Sequence, residues 1–388
     1  MRTLTWDQGP EMARRQCLAP GTGVEVFFAH PHNPWERGTN ENTNRLVRRY
    51  LPKGTPITSH QPYLDVIAYE LGNCAPESPS ATAPPQKHST KSLLPPIDTT
   101  EHYITNTKIE DVINDPVFGD YGRLIFPVDS GYFGGSTLGN LSLTWYNYID
   151  SDKTVEICNY MRNQAENGDT IFYDIYAEEE KAADPAKRDT GLFFFKGNPG
   201  TKFAIVNAGG GFAYVGAMHD SFPHALELSK MGYNAFALIY RPGAQTACED
   251  LSRVITFISR HADELQVDTD GYSLWGGSAG ARMADWVGTY GTEYFGEKAY
   301  PHPAAVIVNY TGLSEVTGYE PPTYSAVGTS DGIASWRTMK SRLDTMSEMG
   351  IPTEFHSYDG LPHGFGLGTG TVAEGWIDDA VAFWEDQM

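Results

Sequence analysis

A serine in a glycine-flanked turn is the first feature of this 388-residue chain that could do chemistry. Ser278 stands between Gly276 and Gly280, after a short apolar run and before an alanine-rich segment. A strand that turns sharply into a helix at such a serine projects the hydroxyl above the sheet, where it can act as a nucleophile. The G-x-S-x-G pattern alone is weak, because chance supplies about 0.2 matches in a chain of this composition. The flanking strand and helix favour a nucleophile over a plain glycine-serine loop.

A second glycine-rich segment follows an apolar run that ends at Asn207. In residues 209–211, all glycine, backbone N–H groups can turn toward one point, because no Cβ atom obstructs them. Acyl transfer requires such donors for its oxyanion, together with the N–H group of the residue after the nucleophile, which is Ala279 here. A phosphate-binding loop is the alternative, but the segment lacks the lysine of a P-loop and the glycine spacing and acidic partner of a dinucleotide site.

A nucleophilic serine needs a base, and the base needs a carboxylate that orients it. In an α/β fold the order along the chain is serine, acid, histidine, which leaves His356 and His363 as candidate bases. His356 lies in a strand-like alternation and is interpreted as structural, whereas His363 lies in a glycine-rich loop after the last predicted strand. Asp331 follows the preceding strand and is the favoured acid, with Asp359 as its rival. The alternative role for Asp331 is a helix N-cap.

The elements around these residues alternate between strands and helices from about residue 190 onward. Strands are predicted at residues 192–196, 203–207, 235–240, 272–275, 304–309, 323–327 and 353–357. Helices are predicted at residues 221–231, 247–265, 279–290, 335–349 and 373–386. This order predicts an α/β fold with a mostly parallel central sheet and helices on both faces. Chemistry in such a sheet takes place at the carboxyl ends of the strands.

The net charge of the chain excludes some classes of partner. With 28 basic and 49 acidic side chains the formal charge is −21, which argues against nucleic acid or an anionic membrane as the main partner. No run of about 18 apolar residues occurs, and the N-terminus lacks the apolar segment of a signal peptide. The four cysteines (Cys17, Cys74, Cys158 and Cys248) form no CxxC pair. We expect a cytoplasmic protein with reduced thiols, no cofactor and no metal ion.

Charge and composition divide the chain into two parts. Residues 1–92 hold 10 basic and 8 acidic side chains, whereas residues 93–388 hold 18 and 41. Around the boundary of these two parts, residues 72–96 are rich in Pro, Ser, Ala and Thr and show no apolar period, which is typical of a linker. We predict an N-terminal fragment at 1–72, a linker at 73–99 and a larger domain at 100–388. In that domain an N-terminal extension, 100–190, precedes a catalytic core, 190–388.

The larger domain resembles the α/β-hydrolase superfamily, specifically the small carboxylesterase and acetylesterase branch with an HGGG-type loop and a GxSxG elbow. The resemblance implies Ser278 as nucleophile, His363 as general base and then acid, and Asp331 as the group that fixes the imidazole tautomer. It also implies an oxyanion hole formed by the N–H groups of Gly210, Gly211 and Ala279. The chain departs from the family at Ala208, which replaces the loop histidine. We expect the hole to survive, because its donors belong to the backbone, and the support of the loop to differ.

The resemblance implies hydrolysis of short-chain carboxylic esters through an acyl-enzyme, with a small-molecule ester as the partner. Residues 310–321 separate two predicted strands and are too few for a helical lid over a long acyl chain. Residues 100–190, which include the aromatic-rich stretch 121–148, are candidates for a cover. Three alternatives stay open: a peptidase of the prolyl-oligopeptidase kind, a DNA-processing enzyme, and a non-catalytic hydrolase-like binding protein. The oligomeric state is left open.

The short part resembles the C-terminal half of the catalytic core of insertion-sequence transposases, the ribonuclease-H-like DDE type. A predicted strand ends at Asp7, a second spans residues 23–28, and Glu41 precedes a basic helix. Asp7 and Glu41 match the second and third acids of that family, whose carboxylates hold paired Mg²⁺ ions for phosphoryl transfer. The first acid would lie upstream of Met1. We therefore expect a partial, inactive ribonuclease-H-like fragment, and no nucleic acid partner despite the resemblance.

The linker carries a prediction that the coding DNA tests. Read one frame over, codons for residues 73–86 permit the peptide LRPRKSLGYRTPA, which resembles the basic tail of this transposase family. We expect a frameshifted transposase remnant joined in frame to a hydrolase gene. Sequencing the DNA checks this, because every codon from 73 to 86 must be compatible with both readings. One incompatible codon contradicts the frameshift.

Overall fold

The computed structural model describes residues 3–6, 25–28, 102–146 and 149–388 of the chain. The chain divides into two compact units, Met1–Asn73 and Cys74–Met388. In the first unit, strands β1 (Thr3–Trp6) and β2 (Glu25–Phe28) form a parallel pair. Asp7, Glu41 and the predicted linker lie outside the described residues, and the predicted domain bounds and ribonuclease-H-like fragment stay predictions.

An eight-stranded sheet forms the centre of the second unit. The strands of this unit are β3 (Phe133–Gly134), β4 (Ser142–Leu143), β5 (Phe172–Tyr173), β6 (Gly191–Phe195), β7 (Thr201–Asn207), β8 (Asn234–Ile239), β9 (Val267–Gly277), β10 (Ala305–Asn309), β11 (Thr323–Gly328) and β12 (Thr353–Tyr358). The order across the sheet is β12-β11-β10-β9-β7-β8-β6-β5, and β3 and β4 form a separate antiparallel ribbon. All pairs from β12 to β8 are parallel, whereas β6 is antiparallel to both of its neighbours.

The described residues of this unit form ten α-helices, six of which connect the parallel strands. The ten helices are α1 (Ile109–Ile113), α2 (Ser151–Glu166), α3 (Glu178–Ala183), α4 (Ala217–Asp220), α5 (Phe222–Lys230), α6 (Ala244–Arg260), α7 (Ala262–Leu265), α8 (Ala279–Tyr290), α9 (Trp336–Glu348) and α10 (Trp376–Glu385). Helix α8 lies against β9 and β10, and α5 lies against β7 and β8. The α/β architecture expected from the sequence is confirmed, with a mostly parallel central sheet and helices packed on it.

Four strands of the sheet are buried along their whole length, which explains their continuous apolar runs. Every residue of β6, β8, β10 and β11 is buried. Parallel strands covered on both faces read as unbroken hydrophobic segments rather than alternating ones. On β9, the fully buried Trp275 ring lies 6.2 Å from Trp376 and 6.4 Å from Trp384 of α10. The C-terminal helix is thereby anchored on the strand that carries the candidate nucleophile.

The segment before β6 belongs to the same compact unit as the sheet. Helix α2 begins after Asp150, whose carboxylate accepts hydrogen bonds from the N–H groups of Asp152 (2.9 Å) and Lys153 (3.0 Å). Such an N-cap satisfies donors that have no partner within the helix. The ring of Tyr160 on α2 stacks on Phe195 of β6 at 5.4 Å. The extension therefore packs on the sheet through aromatic contacts.

Two sequence expectations concern thiols and membranes. Cys158 on α2 and Cys248 on α6 are free and buried, and burial raises the pKa of the Cys158 thiol to about 12. The other two cysteines lie outside the described residues. None of the helices in the described ranges is long and apolar enough to cross a membrane.

Burial of His224 on α5 generates a prediction about pH. Desolvation lowers the pKa of this imidazole to about 4, whereas the unfolded chain takes up the proton near pH 6.5, the ordinary value. Between these values the unfolded state binds more protons, so the free energy of unfolding falls as the pH is lowered. We expect His224 to contribute about 2 kcal/mol of this loss between pH 7 and pH 5.

Denaturant titrations of the wild type and His224→Gln at pH 7, 6 and 5 check this expectation. The variant should lose less stability than the wild type over the interval, because glutamine does not titrate. Parallel pH dependences in the two proteins would show that His224 is protonated equally in the folded and unfolded states.

Candidate active site

The nucleophile turn joins the end of β9 to the start of α8. Ser278 has φ +53° and ψ −118°, a conformation that L residues rarely adopt and that costs roughly 1–3 kcal/mol. Its N–H group donates to the carbonyl oxygen of Asn309 at the end of β10, with N and O 2.9 Å apart. This bond to the neighbouring strand holds the turn, and the serine side chain is partly exposed there.

The two flanking glycines of the turn are required by the close approach of backbone segments. A Cβ atom on Gly276 would overlap the carbonyl carbon of Gly280, and one on Gly280 would overlap the carbonyl oxygen of Asn207. The end of β9 can therefore approach the start of α8 only because Gly276 lacks a side chain, and α8 can approach the end of β7 only because Gly280 lacks one. The G-x-S-x-G spacing reflects this steric requirement.

Ser278, His363 and Asp331 form one continuous chain of hydrogen bonds. The Ser278 hydroxyl lies 3.0 Å from Nε2 of His363, and Nδ1 of His363 lies 2.8 Å from Oδ2 of Asp331. Because an ionised carboxylate only accepts, Nδ1 carries the proton, and Nε2 is free to accept from the serine. The Asp331 carboxylate is fully buried, and the His363 side chain is 10% exposed. The three residues predicted from the sequence thus lie within hydrogen-bonding distance.

The rival acid, Asp359, and the rival base, His356, make other contacts. Asp359 accepts a hydrogen bond from the hydroxyl of Thr329 at 3.0 Å, and His356 contacts Glu354 within β12. The N-cap of α9 is Ser335. Asp331 also has a local role, because its Oδ1 accepts 2.7 Å bonds from the N–H groups of two residues that follow it, Ile333 and Ala334. These bonds leave the other carboxylate oxygen for His363 and fix its direction.

The loop after β7 lies directly against the nucleophile. A Cβ atom on Gly209 would lie 2.9 Å from Cβ of Ser278. Gly210 and Gly211 have φ values of +129° and +61°, which favour glycine. Among the described residues, the N–H groups of Gly210, Gly211 and Ala279 donate to no backbone or side-chain acceptor. Three predicted donors are therefore available beside the serine.

The loop begins at Ala208, which stands in place of the family's histidine. The Ala208 carbonyl oxygen accepts a hydrogen bond from the hydroxyl of Tyr240 at 2.7 Å, and the N–H group of Gly209 donates to Oδ2 of Asp220 at 2.8 Å. In this chain Tyr240 and Asp220 thus support the loop, and they do so without a histidine at its start. Sequence reasoning missed Asp220, and no spacing signal marks it.

Asp220 lies at the centre of a buried polar cluster, which we define as Asp220, Tyr146 and Tyr310. The hydroxyl groups of both tyrosines donate to its carboxylate, the one from Tyr146 at 3.0 Å. Burial raises the pKa of both tyrosines well above 10, and the charge of Asp220 raises it further. The tyrosines therefore stay protonated and remain donors.

An aromatic cap, defined as Tyr132, Trp145 and Tyr214, covers the loop after β7. The rings of Tyr132 and Tyr214 stack at 4.8 Å, and the ring of Trp145 lies 5.7 Å from Tyr214. A Cβ atom on Gly211 would lie 3.2 Å from the Trp145 ring. Two of these residues belong to the predicted aromatic-rich stretch, so the extension contributes to the surroundings of the loop.

Arg282, one turn into α8, is buried and donates from Nη2 to the carbonyl oxygen of Thr311 at 2.6 Å. Within the residues that the structure describes, no group of three His, Cys, Asp or Glu side chains could hold a metal ion.

A family comparison matches the part of the chain that carries most of the site. The BD-FAE family model matches residues 196–335, which include the loop after β7, Ser278 and Asp331 but not His363. The structure of esterase 2 of Thermogutta terrifontis phosphorylated by paraoxon is 21% identical, with a TM-score of 0.45, over 51% of this chain and 89% of that chain. The acetyl ester-xyloside bifunctional hydrolase of Caldicellulosiruptor lactoaceticus is 20% identical, with a TM-score of 0.49, over 55% and 95%.

The curated relatives resemble a different part of the chain. The transposase of insertion sequence element IS1086 of Cupriavidus metallidurans is 58% identical over 71 residues, which are 18% of this chain and 21% of that protein. The transposase InsI of element IS30A of Escherichia coli is 49% identical over 73 residues, 19% of each. This chain spans about a fifth of the length of these relatives. One chain thus carries a segment that matches the BD-FAE family model and a segment that is similar to these transposases.

Proposed function

We propose that this protein is a serine hydrolase that cleaves short-chain carboxylic esters through an acyl-enzyme. The observation that carries the proposal is the hydrogen-bonded chain from Ser278 through His363 to the buried Asp331. A serine hydroxyl is a weak nucleophile by itself and becomes reactive when an adjacent base takes its proton. The three residues have the spacing and the tautomer that this activation requires.

In the first step, Oγ of Ser278 attacks the ester carbonyl carbon while its proton passes to Nε2 of His363. Asp331 accepts from Nδ1 throughout, stabilises the imidazolium and does not take the proton itself. The carbonyl oxygen becomes negative in the tetrahedral intermediate. The free N–H groups of Gly210, Gly211 and Ala279 are the donors for this oxyanion, and one such donor is worth roughly 10²–10³ in rate.

Collapse of the intermediate breaks the bond to the alcohol oxygen, which receives the proton held on His363. The acyl group then remains as an ester on Ser278. A water molecule attacks this ester with His363 again as base, and a second tetrahedral intermediate uses the same N–H groups. Its collapse releases the carboxylic acid and returns the proton to Ser278. No cofactor takes part in either half of the reaction.

Two features support a short acyl group. The connection between β10 and β11, residues 310–322, contains no helix that could form a lid. The aromatic cap packs against the loop that carries the oxyanion donors, with the Trp145 ring beside Gly211. Bulky rings at this position limit the space next to the reacting carbonyl. We infer that acetyl and propionyl esters fit better than long acyl chains.

Ester hydrolysis by Ser278 is tested with p-nitrophenyl acetate. We expect the wild type to release p-nitrophenolate and Ser278→Ala to be reduced by at least about 10³-fold, because the covalent step is removed. Circular dichroism and thermal unfolding must match between the two proteins. Equal rates in the wild type and the variant, or no activity in either, would contradict the proposed function.

The limit on acyl length is tested by removing the Trp145 ring. We expect Trp145→Ala to raise the ratio of p-nitrophenyl octanoate to p-nitrophenyl acetate hydrolysis about tenfold, since each added methylene accommodated in a pocket is worth about 1–3 kcal/mol. Tyr294→Ala is the control, because Tyr294 follows the C-terminal end of α8, opposite the end that carries Ser278. An unchanged ratio in Trp145→Ala would show that the cap does not limit the acyl chain.

A further inference from the structure

Asp220 is a buried carboxylate that the proposed reaction does not use. It is 2% exposed and ends the short helix α4, which follows the loop after β7, residues 208–216, hereafter the oxyanion loop. Taking a carboxylate out of water is costly unless hydrogen bonds replace its hydration. A chain that keeps such a group beside its nucleophile turn must satisfy it fully, and the partners of Asp220 indicate what it does.

The partners of Asp220 come from three separate parts of the fold. Its Oδ2 accepts from the N–H group of Gly209 at 2.8 Å and from the hydroxyl of Tyr146 at 3.0 Å, and its Oδ1 accepts from the hydroxyl of Tyr310. Gly209 belongs to the oxyanion loop, Tyr146 belongs to the extension, and Tyr310 follows β10. All three donors are neutral, so the negative charge is stabilised by hydrogen bonds.

Asp220 also lies against the nucleophile turn itself. A Cβ atom on Gly277, the residue before Ser278, would overlap the Asp220 carboxylate. The carboxylate therefore fills the space between the oxyanion loop and the turn. A displacement of Asp220 would therefore shift both the oxyanion loop and the turn at Ser278.

Tyr310, which donates to Asp220, also contacts His363, the proposed catalytic histidine. The Tyr310 ring packs edge-on against His363 with centroids 5.2 Å apart, and against Phe365 at 4.9 Å. Tyr310 has a φ of +37°, which is unfavourable for a bulky residue. The bond to Asp220 is one of the interactions that hold the Tyr310 side chain in this position.

The residue next to Asp220 contacts the same loop from the other side. Nε2 of His219 lies 2.8 Å from the carbonyl oxygen of Gly364, the residue after His363, and therefore donates to it. The His219 ring also lies 4.6 Å from the Tyr146 ring. One short helix thus contacts the oxyanion loop, the nucleophile turn and the histidine loop.

We propose that Asp220 is a positioning residue that aligns the oxyanion donors with Ser278 and His363, and that it supplies the support which Ala208 cannot give. The methyl group of Ala208 offers no hydrogen bond, and the next residue along the loop is held by Asp220 instead. This inference rests on the proposed function. Its physical basis is that a misplacement of about 1 Å at a reacting group can cost 10²-fold in rate.

The proposal is tested with Asp220→Asn and Tyr310→Phe. Asp220→Asn replaces the carboxylate by a neutral amide, so the bonds to Gly209 and Tyr146 lose their charge assistance, and the Tyr310 hydroxyl must accept from the NH₂ group instead of donating. We expect kcat for p-nitrophenyl acetate to fall about 10- to 100-fold with KM nearly unchanged, since alignment matters most in the transition state. Tyr310→Phe removes one hydroxyl and keeps the ring, so it provides a folded test should Asp220→Asn not fold.

Two further readouts separate this inference from the ester-hydrolase proposal. A fluorophosphonate probe labels an activated serine whatever ester is the natural substrate, and the labelling rate at Ser278 should fall in parallel with kcat. Amide hydrogen exchange in residues 208–216 requires no activity at all, and the variants should exchange faster there than the wild type. If the wild type cleaves no ester, the function proposal fails, while labelling and exchange still decide the role of Asp220.

Asp250→Asn is the matched control. Asp250 is also a buried carboxylate that accepts from a backbone N–H group and from a tyrosine hydroxyl, those of Arg241 (2.8 Å) and Tyr176 (2.5 Å). Its loss should lower the melting temperature and leave kcat and exchange in residues 208–216 as in the wild type. The inference is overturned if kcat and labelling are unchanged in both Asp220→Asn and Tyr310→Phe, or if exchange increases without any change in rate.

Discussion

The candidate active site depends on one close backbone approach, where the turn at Ser278 meets the ends of β7 and β10. The Ser278 N–H group bonds to Asn309, and Gly280 packs on the carbonyl oxygen of Asn207. Such contact is possible only without side chains at the flanking positions, and it holds the serine at a positive φ that an isolated peptide would avoid. The buried strands beneath supply the rigidity that keeps this strain in place.

Buried polar groups surround this turn, although an apolar core would avoid the free-energy cost of removing them from water. Two carboxylates, Asp331 and Asp220, are among them, and each accepts from at least one backbone N–H group and at least one side chain. A carboxylate held by several donors has one orientation, because rotating it would leave buried donors unsatisfied. The same interactions that offset the cost of burial therefore give the site its geometry.

The extension before β6 is joined to the rest of the unit by two similar hydrogen bonds, each from a tyrosine hydroxyl to a buried aspartate. Tyr146 donates its hydroxyl to Asp220, and Tyr176 donates to Asp250, which also pairs with the buried Arg241. Burial raises the pKa of both tyrosines, so each remains a donor. These two bonds join the extension to one carboxylate that precedes β8 along the chain and one that follows it. The aromatic cap is held beside the oxyanion loop by the same segment.

The sequence by itself predicted seven of the eight strands of the central sheet and the three residues of the hydrogen-bonded chain, because apolar periodicity and glycine spacing are local signals. It missed β5, which has only two residues. Its largest error in a strand was β9, predicted at 272–275 but extending over Val267–Gly277, because the polar residues at its start interrupt the apolar run. Only the tertiary structure decided the role of Asp220. Two of its donors, Tyr146 and Tyr310, lie 74 and 90 residues away, and no local pattern specifies which distant hydroxyl groups the folded chain brings to a buried charge.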